Sequence, residues 1–376
     1  MKKTWLAALA AMMLMVGFAA CQDEVPPYLV IEDIDEDDIH GKAVVGVTDP
    51  AEVPAHVKIS NGIVGIDYGA FKGCTSIESV EIPKSVKEIS YGAFTDCKNI
   101  AVVTYKGSFK DWCAVDWDSY LLKNAKRIML SDGTDLKKLT EITANDLAGV
   151  TKIGENAFSR CESLESVEIP KSVKKISYGA FGGCKNIAVV TYKGSFKDWC
   201  AVDWDPVLIK CAKRIMLSDG TDPREVTEIT ANDLAGVTRI GENAFSDCTS
   251  LASVAIGDGV KGIGEIAFKG CTSLASVSIP GSVREIGGYA FGKCTSLVDV
   301  MIADGVTAIG NAAFEGCTSL ASVSIPRSVT KIGASAFNGC SPNLKVQYAG
   351  TKAQWNAISG IKPKVTVHCT DGDLNW

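Results

Sequence analysis

One stretch of the sequence decides the fold: residues 271–291, which read CTSLASVSIPGSVREIGGYAF. Val277 and Ile279 alternate with serines, and this alternation predicts a short strand with one apolar edge and one solvent-facing edge. Pro280 ends the strand, because proline has no N–H to donate to a neighbouring strand. The later apolar residues predict a return segment, a glycine turn and a tight helical turn at Ala290-Phe291. The stretch therefore predicts one closed coil of chain.

The same unit recurs along most of the sequence. The pair Ala-Phe occurs nine times, 23 residues apart within each run, and a cysteine follows three residues after every such phenylalanine. A single coil cannot bury its own apolar side chains, whereas stacked neighbours can supply the missing walls. The sequence therefore predicts a repeat solenoid of 23-residue coils, built mostly from short β-strands and short helical turns.

Two insertions interrupt this rhythm, at about residues 102–149 and 189–236, and each contains the run VTYKGSFKDWCAVDWD. A diverged third copy forms residues 346–376. We interpret each copy as a strand, a glycine turn, a short helix that holds a tryptophan, and a second strand. Because the third copy ends the chain, we expect it to cap the solenoid and cover its last exposed edge.

These motifs resemble the BspA-like branch of the leucine-rich repeats. The motifs I-P-x-S-V, A-F-x-x-C and L-x-x-V-x-I are all present, and the resemblance covers residues 57 to 376. It implies a right-handed leucine-rich-repeat superhelix, with the solenoid proper over residues 46–345. It also implies a surface or secreted bacterial protein, since several such proteins are implicated in attachment to host proteins or other cells. Fold-level analogy of this kind does not identify a partner.

The N-terminus predicts export. A short cationic start and an apolar run to Phe18 resemble a lipoprotein signal peptide over residues 1–20, with Cys21 as the acylated first residue of the mature protein. The alternative is an ordinary secretory signal with a coincidental cysteine. Gln22 after the cysteine favours an outer-membrane lipoprotein, exposed at the cell surface. The acidic residues that follow predict a solvated tether over residues 21–45.

Composition excludes several function classes. The formal net charge is −6, so the chain has no general attraction for nucleic acid or anionic lipid, and the membrane is reached only through the lipid on Cys21. Only three histidines occur, and none recurs in the repeats, which leaves a triad hydrolase without a positioned general base. No phosphate-binding glycine motif stands out. We therefore expect no enzyme activity, no cofactor and no metal.

The cysteines predict a buried ladder of thiols. Fourteen cysteines in an exported chain suggest disulfides, but nine occupy one equivalent position per coil, where their side chains point in parallel. The oxidation states of Cys113, Cys200, Cys211 and Cys369 stay open. The ladder consists of Cys74, Cys97, Cys161, Cys184, Cys248, Cys271, Cys294, Cys317 and Cys340.

The inserted segments hold the candidate ligand contacts. Trp112, Trp199 and Trp355 occupy one position in all three copies, which favours core packing. Trp117 and Trp204 differ from these, because carboxylates flank them on both sides. An exposed tryptophan between acids suits stacking on a sugar ring or docking of a basic loop, and local packing is the alternative. The flanking candidate residues are Asp116, Asp118, Asp203 and Asp205.

Taken together, these features predict a non-catalytic, monomeric cell-surface adhesion or binding protein. Its ligand is a protein or a glycan of a host or neighbouring cell. The alternative is a structural spacer, or an accessory subunit of an envelope or glycan-uptake complex.

Overall fold

The computed structural model describes residues 25–36, 39–360 and 366–374. The predicted signal peptide over residues 1–20 and the predicted lipidation site at Cys21 lie outside these described residues.

Short strands and a few short helices make up the chain. The strands are β1 Leu29–Glu36, β2 Ile39–Val47, β3 His56–Lys58, β4 Ile63–Ile66, β5 Ser79–Ile82, β6 Glu88–Ile89, β7 Val102–Tyr105, β8 Arg127–Met129, β9 Glu141–Ile142, β10 Lys152–Ile153, β11 Ser166–Ile169, β12 Lys175–Ile176, β13 Val189–Tyr192, β14 Arg214–Leu217, β15 Glu228–Ile229, β16 Arg239–Ile240, β17 Ser253–Ala255, β18 Gly262–Ile263, β19 Ser276–Ile279, β20 Glu285–Ile286, β21 Asp299–Ile302, β22 Ala308–Ile309, β23 Ser322–Ile325, β24 Lys331–Ile332, β25 Lys345–Tyr348, β26 Ser359–Gly360, β27 Val367–Cys369 and β28 Gly372–Leu374. The α-helices are α1 Phe109–Ala114, α2 Ser119–Asn124, α3 Phe196–Cys200, α4 Pro206–Cys211 and α5 Lys352–Ala357, and a 3₁₀ turn spans Leu136–Lys138.

The predicted solenoid is confirmed, with about 14 turns and coils of about 23 residues. Each regular coil adds a longer strand to a front sheet, whose last part runs β15-β17-β19-β21-β23-β25-β27-β28. It adds a two-residue strand to a back ladder, whose last part runs β16-β18-β20-β22-β24-β26. Neighbouring coils pair in parallel with a 23-residue offset, so that Val277 faces Val300 and Ile279 faces Ile302. Equivalent positions of neighbouring coils therefore stack on one another.

The tight turn predicted at the phenylalanine corner of each coil is present as a hydrogen-bonded turn. The Phe268 N–H donates to the Ala290 carbonyl of the next coil at 2.8 Å, rather than to a carbonyl within its own coil. The phenylalanine rings stack in the same way, with the centroids of Phe268 and Phe291 5.2 Å apart and their planes 7° from parallel. Hydrogen bonds between coils thus add to those within each turn, such as the one from the Cys271 N–H to the Phe268 carbonyl.

An N-terminal hairpin replaces most of the predicted tether. Strands β1 and β2 pair in antiparallel fashion, and β2 continues in parallel with β4 of the first coil. Leu29 and Val44 lie in the hydrophobic core, whereas Glu32 and Asp33 are exposed. The tether prediction is therefore wrong over residues 29–45. Apolar residues between the acids allow the hairpin to cover the open edge of the first coil while its carboxylates stay in water.

The inserted segments are extra turns of the same column. The bridges Glu88–Asp116 and Lys175–Asp203 carry the back ladder through both of them. In the described residues, the front sheet is interrupted between β8 and β9 and again between β14 and β15. At the C-terminus, β28 runs antiparallel to β27 and ends the front sheet.

Candidate functional site: a tyrosine patch beside a polar groove

Two stacked tryptophans form the centre of each inserted segment. The Trp112 and Trp117 ring centroids lie 3.7 Å apart, and Tyr105 meets both rings edge-on. The indole N–H of Trp112 donates to the Ala157 carbonyl at 2.7 Å, and that of Trp117 donates to the Trp112 carbonyl at 3.1 Å. Every polar atom of the pair is thus satisfied within the protein.

Trp117 and Trp204 are therefore not surface ligand contacts, and that interpretation of the sequence is wrong. They are only 2% and 1% exposed, and Trp204 stacks on Trp199 at 3.9 Å. The local-packing alternative holds. The flanking carboxylates do not bring the tryptophan rings to the surface. In each segment, one carboxylate caps a helix and the other binds the next coil.

Asp118 is a buried junction between two kinds of coil. Its carboxylate caps α2 by accepting the Tyr120 N–H at 3.0 Å. The same group accepts the Gly92 N–H at 3.1 Å and the Phe94 N–H at 2.9 Å. In regular coils these N–H groups donate to carbonyls of the next turn, so the carboxylate substitutes for that missing backbone.

Asp205 makes the equivalent junction in the second segment. It accepts the N–H groups of Gly179, Phe181 and Val207, and burial raises the pKa of this carboxyl. Both aspartates are fully buried. Neither can contact a ligand, so their assignment as candidate contacts is wrong.

Asp116 and Asp203 are partly exposed, but they also join coils. Asp116 pairs with Lys152 at 2.7 Å and accepts the Glu155 N–H at 2.7 Å. Asp203 pairs with Arg239 and accepts the Glu242 N–H at 2.8 Å. Of the six predicted contact residues, these two retain a surface that a ligand can touch.

The cysteine ladder serves the stack of coils. Eight of its nine members are buried and Cys340 is partly exposed, and all are free thiols. The Cys271 thiol donates to the Phe245 carbonyl of the preceding coil at 3.2 Å, and Cys294 repeats this contact with Phe268. Burial raises the pKa of Cys74 to about 11 and that of Cys294 to about 12, so these thiols stay protonated and unreactive. Cys113 and Cys200 are also buried, whereas Cys211 is exposed.

A tyrosine patch, consisting of Tyr68, Tyr91 and Tyr120, is the feature that the sequence analysis did not single out. Tyr68 is 71% exposed and Tyr91 is 66% exposed, and both occupy the same position in successive coils. Tyr120, from α2 in the next turn, joins them: its hydroxyl lies 3.2 Å from that of Tyr91, and the two rings are 5.4 Å apart. The Tyr68 ring lies against Gly92, where an added Cβ would meet it at 3.1 Å. The patch is thus a continuous aromatic surface across three turns.

The second segment does not repeat this patch. At an offset of 87 residues, Tyr68 corresponds to Glu155, Tyr91 to Tyr178 and Tyr120 to Val207. The position two residues before the Ala-Phe pair varies among the repeats, and a variable position that holds a large aromatic residue was the signal available in the sequence.

A polar groove adjoins the patch on the back ladder. It has a volume of about 590 Å³ and is bounded on one side by Ile34 and Ile39 of the N-terminal hairpin. Asp67 and Ser90 line it and directly precede the patch residues Tyr68 and Tyr91 in the chain. Its other polar lining residues are Lys87, Glu88, Asp116 and Lys152. Groove and patch therefore form one surface at the N-terminal end of the solenoid.

The sequence model of the BspA type leucine-rich repeat region matches this chain in six copies, over residues 55–114, 134–200 and 223–345. These segments make up well over half of the sequence. The chain belongs to the BspA-type leucine-rich repeat family. No curated protein matches it.

Several solved structures resemble this BspA-type chain. A leucine-rich cell surface protein from Faecalibacterium prausnitzii A2-165 is 26% identical, with a TM-score of 0.46, and the match covers 86% of this chain and 94% of that one. A leucine-rich repeat protein from Bacteroides ovatus is 19% identical, with a TM-score of 0.31 and coverages of 87% and 99%. One from Eubacterium ventriosum is 20% identical, with a TM-score of 0.42 and coverages of 81% and 77%.

Elsewhere this BspA-type protein presents few groups suited to tight binding. The outward positions of the front sheet are mostly small or polar, as at Ser276, Ser278 and Ser324, with Met301 as a larger exception. Among the described residues, no three His, Cys, Asp or Glu side chains are placed to hold a metal ion. The described helices are all too short or too polar to cross a bilayer.

Proposed function

We propose that the protein is a non-catalytic binding scaffold displayed at the bacterial cell surface, and that the tyrosine patch is its contact surface. The observation that carries the proposal is the exposure of large aromatic rings at equivalent positions of adjacent turns. Tyrosine supplies large contact area at low entropic cost, and aromatic residues dominate the energetics of binding surfaces. The rigid stack of coils holds these rings in fixed relative positions before a ligand arrives, which reduces the cost of ordering them.

Export and anchoring agree with this role. The N-terminal sequence supports an outer-membrane lipoprotein attached through Cys21, with the solenoid outside the cell. The patch lies close to the N-terminal end: Tyr68 follows β4, Tyr91 follows β6 and Tyr120 lies in α2. Adhesion to a protein or glycan of a host or neighbouring cell is the function that suits such a display.

A structural role in the envelope is the second candidate. The observation that favours it is the front sheet, whose small polar side chains offer few anchors for a tight ligand. A spacer or accessory subunit would need the column and its caps, but it would not need two exposed tyrosines in adjacent turns with a third, partly exposed, beside them.

The paired variant Tyr68→Glu/Tyr120→Val tests the proposal. It gives the first segment the residues of the second, at positions where the second folds with them, so the solenoid should stay intact. The matched control is Tyr178→Glu, since Tyr178 is 71% exposed, like Tyr68, but lies outside the patch.

Binding of the wild type and both variants is measured on arrays of extracellular-matrix proteins and glycans. We expect the paired variant to lose at least about tenfold in affinity for whatever the wild type binds, and the control to lose little. If the paired variant binds as tightly as the wild type, the tyrosine patch is not the contact surface, and the spacer role is favoured. Protease treatment of intact cells measures surface display, because protection from added protease would contradict it.

A further inference from the structure

The groove beside the tyrosine patch has the size of a small-ligand site. Its volume of about 590 Å³ lies within the range of about 300–1,000 Å³ that is usual for such sites. The N-terminal hairpin bounds it with Ile34 and Ile39, and β4 and β6 contribute Gly65, Ile66 and Glu88 to its lining. The hairpin thus turns an otherwise shallow face of the solenoid into a concave one.

The charged groups of the groove nearly balance. Among the described residues, three carboxylates, from Asp67, Glu88 and Asp116, line it together with the ammonium groups of Lys87 and Lys152. Carboxylates accept hydrogen bonds and ammonium groups donate them, so the lining offers both kinds of partner at short intervals. A lining of this kind does not favour a strongly anionic or strongly cationic ligand, because charges of both signs line it and Lys152 is paired with Asp116.

The position of these groups is fixed before a ligand arrives. Lys152 pairs with Asp116 at 2.7 Å, and Asp116 also accepts the backbone N–H of Glu155 at 2.7 Å. Asp67 donates its backbone N–H to the Val44 carbonyl of the hairpin at 2.9 Å, and this bond joins the hairpin to the first coil. The groove is therefore preorganised by backbone contacts at both ends.

The tyrosine patch extends the groove with an apolar platform. A sugar ring presents hydroxyl groups at its rim and C–H bonds on its faces, and the faces pack on aromatic rings by dispersion and by electrostatics. Tyr68 and Tyr91 lie one coil apart, at the repeat distance of the solenoid, and each directly follows a residue of the groove. A ligand that needs hydrogen bonds in the groove and flat apolar contact on the patch would use the whole surface.

We propose that the groove and the tyrosine patch together bind a short stretch of a neutral glycan chain. Hydroxyl groups of the sugars exchange hydrogen bonds with Asp67, Glu88 and Lys87, while one or two rings stack on the tyrosines. This inference rests on the proposed function, because it names the class of ligand for the same patch. The second segment lacks the site, since Glu88 corresponds to Lys175 and Asp67 to Gly154 there.

The test uses the full chain and the groove variant Asp67→Ala/Glu88→Lys. Asp67 is exposed, and lysine is the residue that the second segment already holds at the position of Glu88, so the fold should be retained. The matched control is Lys175→Glu, which makes the reverse charge change in the second segment, away from the groove. The probes are neutral hexasaccharides of glucose, mannose and N-acetylglucosamine, with heparin and alginate fragments as acidic comparators, and affinity is measured by titration calorimetry.

We expect at least one neutral hexasaccharide to bind the wild type, the groove variant to bind it at least tenfold more weakly, and the control to bind it unchanged. Two outcomes would overturn the inference: no binding of any neutral probe, or preference for the acidic fragments. Binding of a protein ligand that is lost in Tyr68→Glu/Tyr120→Val but unchanged in the groove variant would also overturn it, while leaving the proposed function intact. Failure of the proposed function would appear instead as unchanged binding of every ligand in the tyrosine variant.

Discussion

Asp118→Ala should destabilise the solenoid strongly, because this buried carboxylate joins a regular coil to an inserted one. The substitution leaves the Gly92 and Phe94 N–H groups buried without an acceptor and removes the cap of α2. Each unsatisfied buried N–H costs about 1–3 kcal/mol and a lost cap costs about 1 kcal/mol, which gives about 3–7 kcal/mol in the free energy of unfolding. Removing the buried charge also removes its desolvation cost, so we expect about 3–5 kcal/mol.

The effect should be graded and local. Asp118→Asn keeps one acceptor oxygen but turns an NH₂ group toward backbone donors. Its loss in the free energy of unfolding should therefore be smaller than that of Asp118→Ala but greater than zero. Asp205→Ala should match Asp118→Ala, because the second junction has the same three backbone donors. Glu155→Ala, which removes an exposed carboxylate one coil away, is the control and should change stability by less than about 0.5 kcal/mol.

Urea unfolding measures the change in stability, and native-state hydrogen exchange locates it. The amides of Gly92 and Phe94 should lose protection in Asp118→Ala, while amides near Phe314, many coils away, should not. A loss below 1 kcal/mol together with unchanged exchange at Phe94 would refute the reasoning, since it would show that water or backbone shifts replace the carboxylate.

Two further stability effects follow from the structure. Ile266 has φ of 60°, a left-handed conformation that β-branched residues resist, so Ile266→Gly should stabilise the protein by about 1 kcal/mol in thermal unfolding. Gly179→Ile, at the equivalent position with φ of 70°, should destabilise it. A destabilised Ile266→Gly together with a stabilised Gly179→Ile would contradict the strain argument. Burial raises the pKa of Cys74 to about 11 and of Cys97 to about 12, so the native state keeps protons that the unfolded state loses. The contribution of these thiols to stability should therefore be constant below about pH 9 and fall between about pH 9 and 12, as urea midpoints in reducing buffer would measure. A midpoint that rises over this range would exclude the effect.

The fold was predictable because the repeat encodes it locally. Val277 and Ile279 occur with the same spacing in every regular coil, and a coil with that pattern can bury them only against another coil. The cysteine positions were readable for the same reason: one equivalent position per coil means a similar environment, which is buried for eight of the nine and for most of them faces a phenylalanine carbonyl.

The candidate site was not predictable in the same way. Asp116 and Asp118 beside Trp117 suggested an exposed ring, but the charges are used within the protein, one as a helix cap and one in an ion pair with Lys152. Sequence spacing cannot show this, since the donors come from Gly92, Phe94 and Glu155, which lie 24 to 39 residues away.

The hairpin was missed because its composition is misleading. Six acids over residues 32–38 suggest a solvated chain, yet Leu29, Ile31 and Ile34 between and before them are enough to pack β1 against β2 and the first coil. A hairpin at the edge of a sheet gains backbone hydrogen bonds that its composition does not reveal.

The near-duplication separates what the fold requires from what it tolerates. Residues 78–161 and 165–248 differ at only 13 positions, and the stacked tryptophans and junction aspartates are the same in both. Glu88 and Tyr120, which belong to the groove and the patch, are among the 13, and the second segment folds without either. Two segments with almost identical backbones can differ in binding only at the 13 differing positions and in the parts of the chain that lie beside them. For the first segment, those parts are the hairpin and Tyr68. The stability of the column therefore does not explain Tyr120 or Glu88, whereas the proposed contact with a ligand would.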